Sequence, residues 1–197
     1  VPTITAFLLP RGSDGAPRSI DDQGRLFSKG SQIYGQGFLF DDSDSKASPL
    51  SVLAQVRSDP ACAARIFPYI GGEEINSHPS QSPHRWAIYL SDVKDEQGLS
   101  RWPALEEIVR SRVKPERDVL PDNPSNRPLK KRWWAYQAHR PELYAAMKSM
   151  TRVLVGSQVT AHIAFAFQPT DRIFSQKLNV FLFDDEASLA VLQSRIH

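Results

Sequence analysis

Apolar residues recur at two spacings along the chain, and together they predict an alternation of strands and helices. Ile4 to Leu9 is a strand-like apolar stretch, and Arg11 to Gly24, rich in Gly, Ser, Asp and Pro, is a loop. From Phe27 to Phe40, Gly30, Gly35 and Gly37 punctuate aromatic and β-branched residues, which predicts short strands with tight turns. Pro49 to Val56 offers a short amphipathic helix. Trp86 to Leu90 reads as a strand after the loop Asn76 to Pro83. Trp102, Leu105, Ile108, Val109 and Val113 fall at helical spacing, so a helix is predicted over Pro103 to Val113, with Pro115 as its stop.

The second half continues the alternation. Pro121 to Pro128 is a Pro- and Asn-rich loop, and Pro141 suits the first position of a helix running to about Met150. Val159 to Phe167 alternates as a strand does: Val159, Ala161, Ile163, Phe165 and Phe167 share one face, Thr160 and His162 the other. Leu178 to Phe183 is apolar on both faces, the mark of a central strand. Asp184 or Asp185 can cap a last helix whose apolar face holds Leu189, Leu192 and Ile196. Strands interspersed with helices, without a strict βαβ rhythm, predict an α+β domain with a mixed, largely antiparallel sheet.

Length and composition fit a soluble chain of one domain, or a domain with a subdomain, since 197 residues can bury a sizeable core. No apolar run has the length of a membrane span, and no basic-then-apolar signal opens the chain. Its one cysteine, Cys62, leaves no internal disulfide framework and fits a reducing cytoplasm. The net charge of +2 is too small to announce a nucleic-acid binder, so its distribution matters more. Between Arg101 and Arg140 ten Lys and Arg stand against five acids, whereas Val1 to Pro60 holds six basic and seven acidic residues. Segregated positive charge is what phosphate binding needs, and equally what a solvated surface stretch looks like. Val1 runs almost directly into an apolar stretch, and Ser194 to His197 closes the chain inside a predicted helix. Such ends lead us to expect a piece of a longer protein.

Catalytic patterns fail on inspection. Tyr34-Gly35-Gln36-Gly37-Phe38 has two glycines, but a cofactor loop needs a preceding hydrophobic strand, a third glycine and a following helix. The histidines His78, His84, His139, His162 and His197, with Cys62, form no metal-ligand spacing. Pro121-Asp122 lacks the acid-x-Lys sequel of a metal-dependent nuclease, and no Gly-x-Ser-x-Gly elbow occurs. Glu73 and Glu74 suit a helix start better than acid-base work. We therefore expect neither catalytic residues nor a metal site in this chain.

Several strings carry a resemblance in their order and spacing. Phe67-Pro68-Tyr69-Ile70-Gly71-Gly72-Glu73-Glu74-Ile75-Asn76 is followed by Ser82-Pro83-His84-Arg85-Trp86-Ala87-Ile88. After these come Val113-Lys114-Pro115-Glu116-Arg117, Arg132-Trp133-Trp134, Arg140-Pro141-Glu142-Leu143 and Leu192-Gln193-Ser194-Arg195-Ile196-His197. The set, with Gly30 to Phe40, resembles the region after the methyltransferase core in MmeI-like (type IIL/IIG) restriction-modification enzymes. The resemblance implies that residues 1–197 are a DNA target-recognition domain. It further implies a parent enzyme that methylates adenine N6 with S-adenosylmethionine, often fused to a nuclease that would use magnesium. The methyltransferase core, expected upstream of Val1 in the same chain, is marked by Asn-Pro-Pro-aromatic. Here Asn123-Pro124 is followed by Ser125, so this chain is expected to hold no cofactor and to methylate nothing alone.

A recognition domain must grip phosphates and read base edges of double-stranded DNA, and those tasks call for different residues. Lys130, Lys131 and Arg132, beside Trp133 and Trp134, are candidates for phosphate contact, the tryptophans being mostly structural. Arg85 has two readings: a phosphate contact, or an ion pair with Glu73 or Glu74. Arg117 and Arg140 lie in the resembling strings and suit scaffolding. Relatives vary specificity at positions two apart just after a Val-x-Ser element, here Val155-Gly156-Ser157, which implies base reading by Gln158 and Thr160. The alternation adds His162 to their face, with Ser157 at its start. Gln can pair bidentately with adenine and Thr can touch a thymine methyl, although a solvent-facing polar strip has the same pattern. The alternative function is a protein-interaction or regulatory module of a defence enzyme, with weak or no DNA contact.

Overall fold

A computed structural model describes residues 27–161 and 164–194. Ile4 to Leu9, the loop Arg11 to Gly24, His162 and Ile196 lie outside the described residues. The fold is α+β, built on two four-stranded sheets. One has the order β1-β8-β5-β6, from Phe27–Lys29, Leu178–Phe181, Arg152–Ser157 and Phe165–Pro169, antiparallel throughout. The other has the order β2-β4-β3-β7, from Leu39–Phe40, Arg85–Ile88, Ile66–Ile70 and Ile173–Phe174, with only β3 and β7 parallel. The predicted central strand is β8, flanked by β1 and β5.

Each sheet has its own core, and the β3–β7 pair is the wall between them. Alternation along a strand sends Tyr69 and Ile173 into the larger core while their neighbours Ile70 and Phe174 enter the smaller one. The larger core gathers Phe38, Phe40, Ile88, Trp133, Trp134 and Tyr136 against helix α1 (Leu50–Arg57) and helix α4 (Pro103–Arg112). In α4 the i, i+4 stripe Leu105 and Val109, extended by Val113, is fully buried, while Glu106 and Arg110 pair at 2.7 Å on the outer face. The smaller core packs helix α3 (Gly72–Ser77) and helix α7 (Pro141–Met147) on Val153, Val155 and Val180.

Several boundaries differ from expectation. α4 ends at Arg112, in line with the stop expected at Pro115, but Pro115 does more than stop it. It occupies the first turn of a new helix, α5 (Lys114–Asp118), where its missing N–H has no partner to lose. Another short helix, α6 (Arg127–Lys131), uses Pro128 in the same way and takes the end of the predicted loop. A short helix, α2 (Pro60–Ala63), is capped by Asp59, and the last helix, α8 (Glu186–Gln193), by Asp185.

Cys62 in α2 is fully buried, and its Sγ lies 3.2 Å from Asp59 Oδ2. Burial first, then the neighbouring carboxylate, pushes its thiol pKa up to about 11. At about pH 8 only about one thiol in a thousand is then ionised. Cys62 should therefore resist iodoacetamide in the folded chain and react fully in denaturant. Mass spectrometry after a timed pulse checks this; equal labelling in both states would contradict the packing around α2.

Candidate nucleic-acid interface

Of the segment expected as one strand from Val159 to Phe167, Phe165–Phe167 lies in β6, which pairs antiparallel with the preceding β5, and Val159 to Ala161 lies in no strand. β5 runs through the buried Val153, Leu154 and Val155, and the chain then reverses so that Leu154 faces Phe167 and Gly156 faces Phe165 across the β5–β6 pair. Glycine is required at 156, because a Cβ there would stand 2.9 Å from the Phe165 ring. Gln158 and Thr160 therefore sit in the hairpin connection, not on a strand face, and Val159 is 80% exposed. Ser157 is the last residue of β5.

This tip is braced from two sides. Asn76, at the end of α3, donates through Nδ2 to Ser157 Oγ at 3.2 Å and to the Val159 carbonyl at 3.3 Å. Ser157 Oγ donates to that same carbonyl at 2.9 Å. Position 72 of α3 is glycine, and a Cβ there would stand 2.9 Å from Ser157 Oγ and turn that hydroxyl from its present place. On the other side lies the β7–β8 turn. Gln158 N–H donates to the Lys177 carbonyl at 2.9 Å, and Gln158 Nε2 donates to the Gln176 carbonyl at 2.5 Å.

The β7–β8 turn also borders a polar cleft of about 280 Å³, lined by Tyr34, Gln36, Gly71, Glu73, Arg85, Gln176 and Lys177 among others. Tyr34 presents an exposed ring there from a left-handed backbone (φ 52°). Its carbonyl and that of Ile33 accept from Nη2 of the fully buried Arg117, at 3.1 and 3.3 Å. The opposite wall rests on Glu74. This carboxylate is fully buried, takes Arg85 Nε at 2.8 Å and Nη2 at 2.7 Å, and accepts the Gly71 N–H at 2.8 Å. A glutamate at the third helical position reaching back to the N-terminal backbone is half of a capping box. Arg85 is thus in an ion pair with Glu74, one of the two readings of the sequence.

The basic run separates by residue type. Arg132 turns inward and donates to the carbonyls of Ser91 and Val93, at 2.8 and 3.0 Å. Trp133 and Trp134 are buried edge to face, their centroids 5.6 Å apart. Lys130 and Lys131, at the end of α6, have no hydrogen bond or ion pair from Nζ among the described residues. The structure therefore divides the expected contacts between two supports: Ser157, Gln158 and Thr160 on the hairpin tip, and Lys130 and Lys131 on α6. The brace residues Asn76, Gln176 and Lys177 were not expected. Neither Asn76 nor the β7–β8 turn adjoins the hairpin in sequence, so only the tertiary fold brings them to it.

The chain is similar in fold to part of MmeI, a type IIL restriction-modification enzyme solved in complex with DNA. The TM-score is 0.60 at 16% identity, over 85% of this chain and 20% of the MmeI chain. The chain thus spans about a fifth of the length of that enzyme. No protein-family model matches the sequence, and no curated protein matches it. Among the described residues no group of three or more His, Cys, Asp or Glu is placed to hold a metal ion, and no helix is long and apolar enough to cross a membrane.

Proposed function

We propose that this chain is a DNA target-recognition domain of a restriction-modification enzyme that methylates adenine N6. In this reading the hairpin tip addresses base edges, and Lys130 and Lys131 address phosphates. The observation that carries it is the tip itself: Gln158 and Thr160 stand exposed on a connection braced by Asn76 and by the β7–β8 turn. A specificity site needs side chains held by their supports before the ligand arrives. The likeness to MmeI, a DNA-bound enzyme, supports the same reading.

Methyl transfer is assigned to a core elsewhere in the parent. Gln36–Phe38 forms a 3-10 turn that leads into β2, not a strand–loop–helix cradle, so these residues do not fit S-adenosylmethionine. The cofactor, and magnesium where a nuclease is fused, belong to that other part in this reading, and the cytoplasm is its compartment.

A labelled duplex titrated with the chain across a salt series tests the proposal. Two lysine–phosphate contacts give a log-log slope near about −1.8, so affinity should fall at least about tenfold between roughly 50 and 200 mM salt. Lys130→Ala or Lys131→Ala should weaken all duplexes alike and flatten the slope by about 1. Absence of binding even at low salt would contradict the proposal and favour the protein-interaction module.

A further inference from the structure

We propose that the β7–β8 turn, Ser175–Lys177, is a second arm of the DNA site: it orients the Gln158 amide for an adenine edge and adds a phosphate contact through Lys177. The inference rests on the base-reading role of the hairpin tip and says which base that tip reads.

The orientation follows from hydrogen-bond chemistry. The Gln176 carbonyl can only accept, so the group facing it at 2.5 Å is the Gln158 NH2, and Oε1 points away. The NH2 carries two hydrogens, and the carbonyl takes one. Where the carbonyl takes the hydrogen trans to Oε1, one donor and one acceptor remain side by side, the pair that matches adenine N7 and N6–H2 in the major groove. Guanine presents two acceptors on that edge, so Oε1 would face a lone pair; cytosine offers a donor alone. Holding the amide beforehand also removes part of the entropy lost when a glutamine is ordered on binding.

The turn is itself fixed to β3 and to the segment that follows β1. The Ser175 N–H donates to the Ile70 carbonyl at 2.8 Å, and the Gln176 N–H to the Ser31 carbonyl at 2.8 Å. Gly30 lets the chain pass so near that a Cβ would stand 2.3 Å from the Ser175 carbonyl oxygen. Lys177 is exposed, and its Nζ has no hydrogen bond or ion pair among the described residues. Its own carbonyl holds the Gln158 N–H, which places the ammonium-bearing residue directly beside the base-reading one. Every base carries a flanking phosphate, so a cation at this place binds where the amide reads.

The test uses the full 197-residue chain as wild type, Lys177→Ala and Gln158→Ala. Each is titrated against duplex DNA over a salt series and used for competitive selection from a randomised duplex pool. Lys177→Ala should bind every duplex more weakly, with the salt slope reduced by about 1 and the adenine preference kept. Gln158→Ala should keep the slope and lose roughly ten- to a hundredfold of adenine preference at one position. Replacing that adenine by 7-deazaadenine should reproduce the loss with the wild type and not with Gln158→Ala. An unchanged slope for Lys177→Ala, or a base other than adenine at the Gln158-dependent position, overturns the inference. A reduced slope with selectivity indifferent to Gln158 overturns the tip reading and the adenine assignment, and retains the Lys177 contact. Wild-type binding absent at low salt overturns both.

Discussion

Glu74→Ala is expected to lower the free energy of unfolding by about 3–5 kcal/mol, the loss typical of breaking a buried ion pair by removing one partner. The carboxylate is fully buried, and the Arg85 side chain is only 15% exposed, so the guanidinium left behind would have neither anion nor full solvation. The Gly71 N–H would lose its acceptor as well. Because Glu74 lies on the helix that carries Asn76, the change should also loosen the hairpin tip. Glu74→Gln, which keeps an acceptor but not the charge, should fall between wild type and Glu74→Ala. Urea unfolding of the three proteins measures the differences; a loss below about 1 kcal/mol for Glu74→Ala would mean that the pair does not hold α3 to β4.

Arg117→Met should be comparably damaging, by about 2–5 kcal/mol, for a different reason. Arg117 has no acid within ion-pairing distance among the described residues, and burial lowers its pKa to about 10. It acts as a fork of donors, reaching the carbonyls of Ala135 at 2.7 Å, Tyr34 at 3.1 Å, Ile33 at 3.3 Å and Arg132 at 3.4 Å. Methionine fills the volume beside the Phe38 ring but leaves buried acceptors unpaired. The left-handed turn at Tyr34 would then lose the contact that holds it. Arg117→Lys should recover little, since an ammonium cannot span the same four oxygens. Denaturation midpoints, and protection of the mutually bonded Gln32 and Ala138 amides beside this turn against hydrogen exchange, report the two consequences separately.

Much of the fold was legible where one signal dominated. The stripe Leu105, Val109 and Val113 marks α4 because its period matches no other element, and the apolar Leu178–Phe183 marks the interior strand β8. The hairpin was not legible. Val159, Ala161 and Ile163 alternate whether or not the chain reverses, and residues 158–164 contain no Gly, Pro or Asn to mark a turn. β3 carries no clear strand signal, because Pro68 argues against an interior strand. β7 pairs only with Tyr69 and Ile70, which leaves one side of β3 open at Pro68. Glu74 showed its helix-start spacing in sequence but not its burial, since only the fold brings Arg85 across to it. The candidate tip was reached through Val155-Gly156-Ser157, whereas its supports depend on contacts as distant as Asn76 to Val159.

Selection from a randomised duplex pool at low salt, with wild type and the Gln158→Ala/Thr160→Ala double variant, tests the central claim most directly. Both positions are exposed, so the double variant should stay folded, at a cost of about 1 kcal/mol for the lost Gln158–Gln176 hydrogen bond. The wild type is expected to enrich a defined sequence. The double variant should bind the unselected pool as tightly while losing roughly tenfold or more of the preference at the positions it reads. A wild type that enriches nothing, or a double variant that enriches the same sequence equally well, would contradict base reading by this hairpin.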